Sequence, residues 1–158
     1  MPELHQGQYR SNVSAIIFDE NKRFLMVNKV DAPKGQLDFV KGGMRFGESE
    51  TQALNREITE EIGKNIEYEI IKKSAIRLIY DWPEELVNKY GYRGQDRKNY
   101  WVSYKSGEII LDYKELKDYV WLDEQKMIEN LRKDRFSEVD VKNLLNEWEL
   151  IKNNNNNN

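Results

Sequence analysis

The sequence predicts an α+β chain, a mixed β-sheet flanked by helices. Three observations carry this. Strand-like and helix-like segments alternate irregularly, without the strict βαβα order of a parallel doubly wound sheet. The apolar stretches are short and mostly β-branched, as in sheet strands. Two segments carry both the 3.6-residue apolar period and a capping signal of helices.

Asn12 to Phe18 and Arg23 to Val30, separated by Asp19-Glu20-Asn21-Lys22, read as a β-hairpin with a four-residue loop. A connection bearing Pro33 and Gly35 leads to the apolar stretch Leu37 to Val40, and Gly42-Gly43 and Gly47 then mark a strand entering a flexible loop. Ser49 with Gln52 three residues on is a capping box, and Gly63 is the residue type preferred just past a helix end, so 50–62 reads as a helix. Alternation of Ile66, Tyr68 and Ile70 opens a strand running to Ile79; Asp81-Trp82-Pro83 turns it into a short helical stretch ending near Tyr90-Gly91. The polar residues 92–96 read as a loop before a strand over Asn99 to Tyr104. A loop around Asp112 to Lys117 precedes a strand over Tyr119 to Leu122. The last helix shows one apolar stripe, Val141, Leu144, Leu145, Trp148 and Ile151, opened by Ser137 and Asp140 as cap and acidic partner.

The organisation expected is a flexible N-terminus over 1–8, one domain over 9–152, and a disordered tail over 153–158, where six Asn have nothing to bury. With 158 residues and about a quarter of them Leu, Ile, Val or Phe, the chain suits one folded domain. The formal charge of −3 gives no global field toward nucleic acid or anionic lipid, so any polyphosphate or RNA contact is local. The absence of Cys excludes disulfides, a thiolate nucleophile, Cys-ligated zinc and iron–sulfur clusters. The single His, His5, is expected to be a terminal residue without a role. No stretch has the length of a membrane span or the h-region of a signal peptide, so the expectation is a cytoplasmic protein with no membrane partner. Oligomeric state is left open.

On the 50–62 helix, Glu57, Glu60 and Glu61 occupy i, i+3 and i+4 and project from one face beside the apolar stripe Leu54, Ile58, Ile62. Three carboxylates together repel one another unless a cation is bound, and hard oxygen-ligated ions such as Mg²⁺ or Mn²⁺ are natural counterions. A solvated acidic face is the ordinary reading of such a pattern taken alone. Its context is the string Gly42-Gly43-Met44-Arg45-Phe46-Gly47-Glu48 continuing to Arg56-Glu57-Ile58-Thr59-Glu60-Glu61-Ile62-Gly63. This resembles the Nudix box of the Nudix hydrolase superfamily: Gly42 the opening Gly, Glu48 the first Glu, Arg56-Glu57 the Arg-Glu pair, Glu60-Glu61 the paired Glu and Gly63 the closing Gly. It departs at Lys64, where the family has an apolar residue.

The resemblance implies the Nudix fold, an α/β/α sandwich, and hydrolysis of a phosphoanhydride with Mg²⁺ or Mn²⁺ as cofactor. It makes Glu57, Glu61 and Glu60, with Gly42, the metal-site candidates, and Arg56 and Glu48 a supporting pair within the catalytic set. The physics agrees: carboxylate-held cations screen phosphate charge and lower the pKa of a bound water, and glycines let backbone approach phosphate.

Tyr9-Arg10-Ser11-Asn12-Val13, Leu37-Asp38-Phe39-Val40-Lys41-Gly42-Gly43, Tyr80-Asp81-Trp82-Pro83, Arg93-Gly94-Gln95 and Lys114-Glu115-Leu116 resemble one branch, the dinucleoside polyphosphate and RNA 5′-pyrophosphohydrolases. Leu37 and Val40 replace a Trp and a Pro usual there, and Ser137 a Lys. That likeness makes Glu115 a fourth carboxylate candidate for the metal site, and a candidate general base. It also suggests Arg10, Lys41, Gly42, Gly43, Tyr80, Arg93, Gln95, Lys98 and Phe136 as contacts to phosphate or base, the choice between a base-holding and a buried core Phe136 staying open. The substrate implied is a dinucleoside polyphosphate or the 5′ end of triphosphorylated RNA. The alternatives are a nucleotide-pool sanitising triphosphate pyrophosphohydrolase and a non-catalytic nucleotide-binding module.

Overall fold

The computed structural model describes residues 8–33 and 35–156. The expected flexible segment, except Gln8, and His5 lie outside them. The strands are β1 (Tyr9–Phe18), β2 (Phe24–Lys29), β3 (Leu37–Asp38), β4 (Val40–Gly43), β5 (Ile66–Asp81), β6 (Gly94–Gly107) and β7 (Leu116–Leu122). The helices are α1 (Glu50–Ile62), α2 (Glu84–Tyr90), α3 (Glu124–Arg132) and α4 (Glu138–Asn156). They form a mixed sheet of order β3-β2-β1-β6-β5, with β4 also on β1 and β7 on β2. Among the described residues only β1 and β6 run parallel.

Both faces of the sheet are covered, which is why the C-terminal end of β1, Ala15-Ile16-Ile17-Phe18, is apolar without a break. Val13, Ala15 and Ile17 face the layer with Leu54, Ile58 and Ile62 of α1. Ile16 and Phe18 face the layer with Leu144, Trp148 and Ile151 of α4. In that second layer Trp148 stacks on Trp101, and Phe18 and Phe24 meet Trp148 edge-on. Glu147 ties the helix to the sheet, accepting from Ser74 Oγ at 2.7 Å, the Ala75 N–H at 2.8 Å and Trp101 Nε1 at 2.8 Å.

The expected hairpin closes but does not continue. Asp19 caps its turn, accepting the N–H groups of Asn21 and Arg23, yet β1 and β2 are in register only at Phe18–Phe24. Beyond that point they splay apart, and the segment 37–43 fills the wedge: β3 pairs with β2 at Val27 and Asn28, and β4 pairs with β1 from Asn12 to Ala15. Gly42 and Gly43 are therefore strand residues, and the loop begins only after them.

Three further boundaries differ from the sequence reading. The polar segment from Gly94 is the start of β6, with Gln95, Asp96, Arg97 and Lys98 all buried. Their backbones pair with β1 and β5 on either side, and their charges are met by neighbours such as Arg77 on Asp96 at 2.6 Å and Ser11 on Lys98 at 3.0 Å. Helix α3 has no counterpart in the expectations, although Asp123 caps it and Met127 and Leu131 bury at i and i+4. Helix α4 starts with the expected box, Ser137 Oγ accepting from Asp140 N–H, but continues through Asn153 to Asn156 instead of fraying at the Asn tract. A helix already nucleated over four turns propagates at little cost per residue, and Asn does not forbid it. The last two Asn lie outside the described residues.

Replacing Glu147 by Ala removes the acceptor of three donors at the α4–sheet seam. It should lower unfolding free energy by roughly 2 to 3 kcal/mol, read as a lower denaturation midpoint with an unchanged m-value.

Candidate active site

The capping box fixes the start of α1, with Ser49 accepting from Gln52 N–H and Gln52 returning the bond to Ser49 N–H. The helix then presses one stripe, Leu54, Ile58 and Ile62, into the core. Glu57 and Glu61 flank that stripe one turn apart and are themselves buried, Glu61 completely. Glu60 is not: its side chain remains 43% exposed at the helix surface. The three carboxylates thus share a side of the helix but divide into a buried pair and an outer member.

Arg56 organises the cluster. Its Nε and Nη2 form a fork on Glu48 at 2.6 and 2.8 Å, Nη1 reaches Glu57 Oε1 at 2.7 Å and Glu60 Oε2 at 3.3 Å, and Nη2 also donates to the Gly43 carbonyl at 2.8 Å. The guanidinium holds Glu48 well below the usual carboxylate range, at about 2. Glu48 in return raises the pKa of Arg56, so the hub stays charged. Arg45 closes the outer side, its N–H donating to Glu48 and its guanidinium lying 3.2 Å from Glu60 Oε1.

Strand β4 covers the buried pair. A Cβ on Gly42 would lie 2.0 Å from the Glu57 carboxyl carbon, so only glycine lets the strand approach this carboxylate. A Cβ on Gly43 would lie 2.4 Å from Nη2 of Arg10, which lays its guanidinium on that glycine from the neighbouring strand. The Lys41 N–H donates to Glu61 Oε1 at 3.1 Å, while Glu61 Oε2 is buried with no partner. Burial pushes the Glu61 carboxyl up to about 7; Lys29 and the Lys41 N–H oppose this, and Glu57 and Glu115 add to it. Burial raises Glu57 too, against the pull of Arg56.

Glu115 sits in the turn before β7, its N–H bonded to the Asp112 carbonyl and its own carbonyl to Val30 N–H. It is far from the helix in sequence, yet its charge acts on both Glu57 and Glu61. Among the described residues no three acidic side chains, as they stand, converge tightly enough to enclose a metal ion. Glu57 turns one oxygen to Arg56, and Glu60 is shared between Arg56 and Arg45. The chemistry of the donors nonetheless suits a hard divalent cation: a buried, unpartnered carboxylate oxygen, a second carboxylate beside it, and a backbone stripped of side chain next to both.

The remaining expected contacts scatter around this centre. Lys41 pairs with Asp38 at 2.7 Å. Gln95 is buried, accepts from Tyr80 Oη at 3.3 Å and leaves Nε2 unpartnered; Arg135 covers the Tyr80 ring at 4.6 Å. Arg93 pairs with Asp81 and lies over Tyr9. Lys98 is buried against Ser11 and Asp96. Phe136 lies in the core, 5% exposed, under Arg97, and presents no open face for a base. Sequence reading passed over Arg97, Asp38, Lys29 and Arg135; no spacing rule marks them, because their partners lie on other strands and helices. A cavity of about 430 Å³ at the Phe18–Ser103 end of β1 and β6 includes none of these residues.

The NUDIX domain model matches residues 8–142. The chain belongs to this family. The match takes in the whole of the carboxylate site, and divalent metals are the general cofactors of Nudix hydrolases. The Nudix chain is 36% identical over 118 residues to the RNA pyrophosphohydrolase of Nitratiruptor sp., covering 71% of this chain and 75% of that protein. It is 34% identical over 132 residues to that of Campylobacter jejuni, covering 79% and 84%. Its fold matches a C. elegans Ap4A hydrolase binary complex (TM-score 0.64, 18% identity, 88% of this chain and 97% of that one). It also matches the E. coli dihydroneopterin triphosphate pyrophosphohydrolase (TM-score 0.58, 20% identity, 77% and 86%). No helix among the described residues is long and apolar enough to cross a membrane.

Because the folded state raises Glu61 from 4.5 to about 7, the native protein holds an extra proton between those values, and stability falls as pH rises through that window and levels off above it. In chelator, urea midpoints should drop from pH 5 to pH 8. Glu61→Gln should remove most of that slope and be the more stable protein at pH 8, by up to roughly 3 kcal/mol.

Proposed function

We propose that this Nudix pyrophosphohydrolase acts on the 5′ end of triphosphorylated RNA, with Mg²⁺ or Mn²⁺, by attack of water on a phosphoanhydride phosphorus. The observation that carries the chemistry is the buried Glu57–Glu61 pair with the unpartnered Glu61 Oε2, roofed by Gly42. The Arg10 guanidinium, suited to holding phosphate, lies against the next residue of the same strand, Gly43. The choice of RNA rests on the two named relatives at 34 to 36% identity over most of the chain.

In this reading Glu57, Glu61 and Glu115 hold the metal, with Glu60 and the Gly42 carbonyl at its margin. When bound, the metal would lower the pKa of the attacking water and screen the charge of the phosphates. Arg56 fixes the direction of Glu57 and opposes the upward push of burial on it, while Glu48 fixes Arg56, so both are positioning residues. Arg10 binds the phosphate chain next to Gly43, where a side chain would displace it. Glu115, exposed on its turn, accepts the proton of the attacking water. Tyr80, Gln95, Arg93 and Lys41 line the approach to the nucleoside, and Phe136 supports that approach from the core.

The test is release of phosphate or pyrophosphate from triphosphorylated RNA, beside diadenosine tetraphosphate and free nucleoside triphosphates, with and without Mg²⁺. The RNA should give the highest kcat/KM; preference for either alternative would overturn the substrate assignment and leave the chemistry standing. Glu115→Gln should lower kcat by roughly 10² to 10⁴ with an unchanged melting temperature in chelator. Arg10→Ala should raise KM about tenfold or more, with the larger loss on substrates that carry more phosphates.

A further inference from the structure

Arg97 is 1% exposed, the only arginine among the described residues that is fully buried. A guanidinium removed from water must be compensated on all sides, and this one is. Nη2 donates to Asp38 Oδ1 at 3.0 Å and to Ser14 Oγ at 3.3 Å, Nε donates to Asn99 Oδ1 at 3.3 Å, and Nη1 lies 3.7 Å from Asp134. The rings of Phe39 and Phe136 lie 6.0 and 5.6 Å from its centre.

What Arg97 holds is the kink between β3 and β4. Asp38 ends β3, its Oδ1 also accepts the Phe39 N–H at 2.7 Å, and its Oδ2 takes the Lys41 ammonium at 2.7 Å. One carboxylate thus clasps both sides of the kink and is itself fixed by Arg97 on β6, in the rigid centre of the sheet. Three residues beyond Asp38, the Lys41 N–H meets Glu61 and Gly42 rests on Glu57.

We propose that Arg97, through Asp38, is a positioning residue for the metal-binding carboxylates: it sets where β4 lies over α1, and thereby the placement of Glu61 and Glu57. This rests on the reading of Glu57 and Glu61 as metal ligands. Asp134, more distant and on the segment between α3 and α4, balances charge without reaching β4.

The test compares Asp38→Asn, Arg97→Lys and Asp134→Asn with the parent for Mn²⁺ affinity by titration calorimetry and for kcat and KM on triphosphorylated RNA, with melting temperatures to confirm folding. Asp38→Asn keeps the shape and the acceptor for Phe39 while removing the charge that Arg97 and Lys41 share. It should weaken Mn²⁺ binding and lower kcat, each about 10 to 100-fold, with KM within about twofold. Arg97→Lys keeps the charge but not the fork, and should show the same pattern to a lesser degree; it stands in if Asp38→Asn does not fold. Asp134→Asn should leave both quantities within about twofold. Parental Mn²⁺ affinity and kcat in a folded Asp38→Asn or Arg97→Lys overturns the inference, as does a raised KM at unchanged kcat, which would mean that Asp38 serves substrate binding, directly or through Lys41. An Asp134→Asn effect equal to that of Asp38→Asn overturns it too. Glu61→Gln separates the two levels: if it binds Mn²⁺ like the parent, the ligand reading itself fails.

Discussion

The burial of two carboxylates between a helix and a glycine strand is the constraint on which the rest of this structure depends. Glu57 and Glu61 sit where α1 meets β4, and removing carboxylates from water is costly unless cations or donors answer them. Arg56 answers Glu57 from the same helix, and the Lys41 N–H half answers Glu61 from the strand. The unanswered Glu61 oxygen, and the pKa driven up to about 7 by burial, measure what is left over. A fold optimised only for stability would place apolar residues here. In the proposed function this uncompensated charge is what a bound cation would answer.

That constraint reaches outward through geometry. For β4 to lie on α1, β1 and β2 must part, and they do so from Phe18 and Phe24 onward, leaving the wedge that 37–43 occupies. For the helix to bring its carboxylates to that wedge, its apolar stripe must seat in the layer beside β1, β2 and β6. The opposite layer, built on Trp101 and Trp148 and pinned by Glu147, keeps the sheet rigid while half of its upper end is given to polar residues. Gln95, Asp96, Arg97, Lys98 and Asn99 would be poor strand residues in isolation. Here each lies between two strands that satisfy its backbone, and each charge finds a neighbour. Carboxylate burial and the polar half of β6 are linked, since Arg97 on β6 fixes Asp38, and Asp38 leads the chain into β4.

Helix α1 was legible from its first residue to its last, because a reciprocal Ser49–Gln52 cap and Gly63 are local devices written within four residues of the ends they set. The pairing of Arg56 with Glu48 followed from the resemblance to the Nudix box, and in the structure it is a two-bond fork across one loop. The approach of Glu115 to the cluster came only from resemblance, as its position depends on a turn stacked against Val30 far earlier in the chain. The end of α4 and the existence of α3 depart from the sequence expectation in opposite senses: a running helix carries the Asn tract with it in one case, and a short amphipathic segment capped by Asp123 suffices for a helix in the other.

The sequence by itself determined which carboxylates share one face of a helix and the local caps that make that helix, and its likeness to the Nudix box supplied the expectation of a phosphate and a cation. Tertiary structure alone decided which of those carboxylates are buried, which cation faces which anion, and that a run of polar residues near Gln95 would be strand and not loop. The reason is physical. Caps and helical faces are fixed by contacts three or four residues apart, whereas burial and charge pairing on a sheet depend on strands brought together from Asn12, Asp38, Arg77 and Arg97, and no local pattern carries that register.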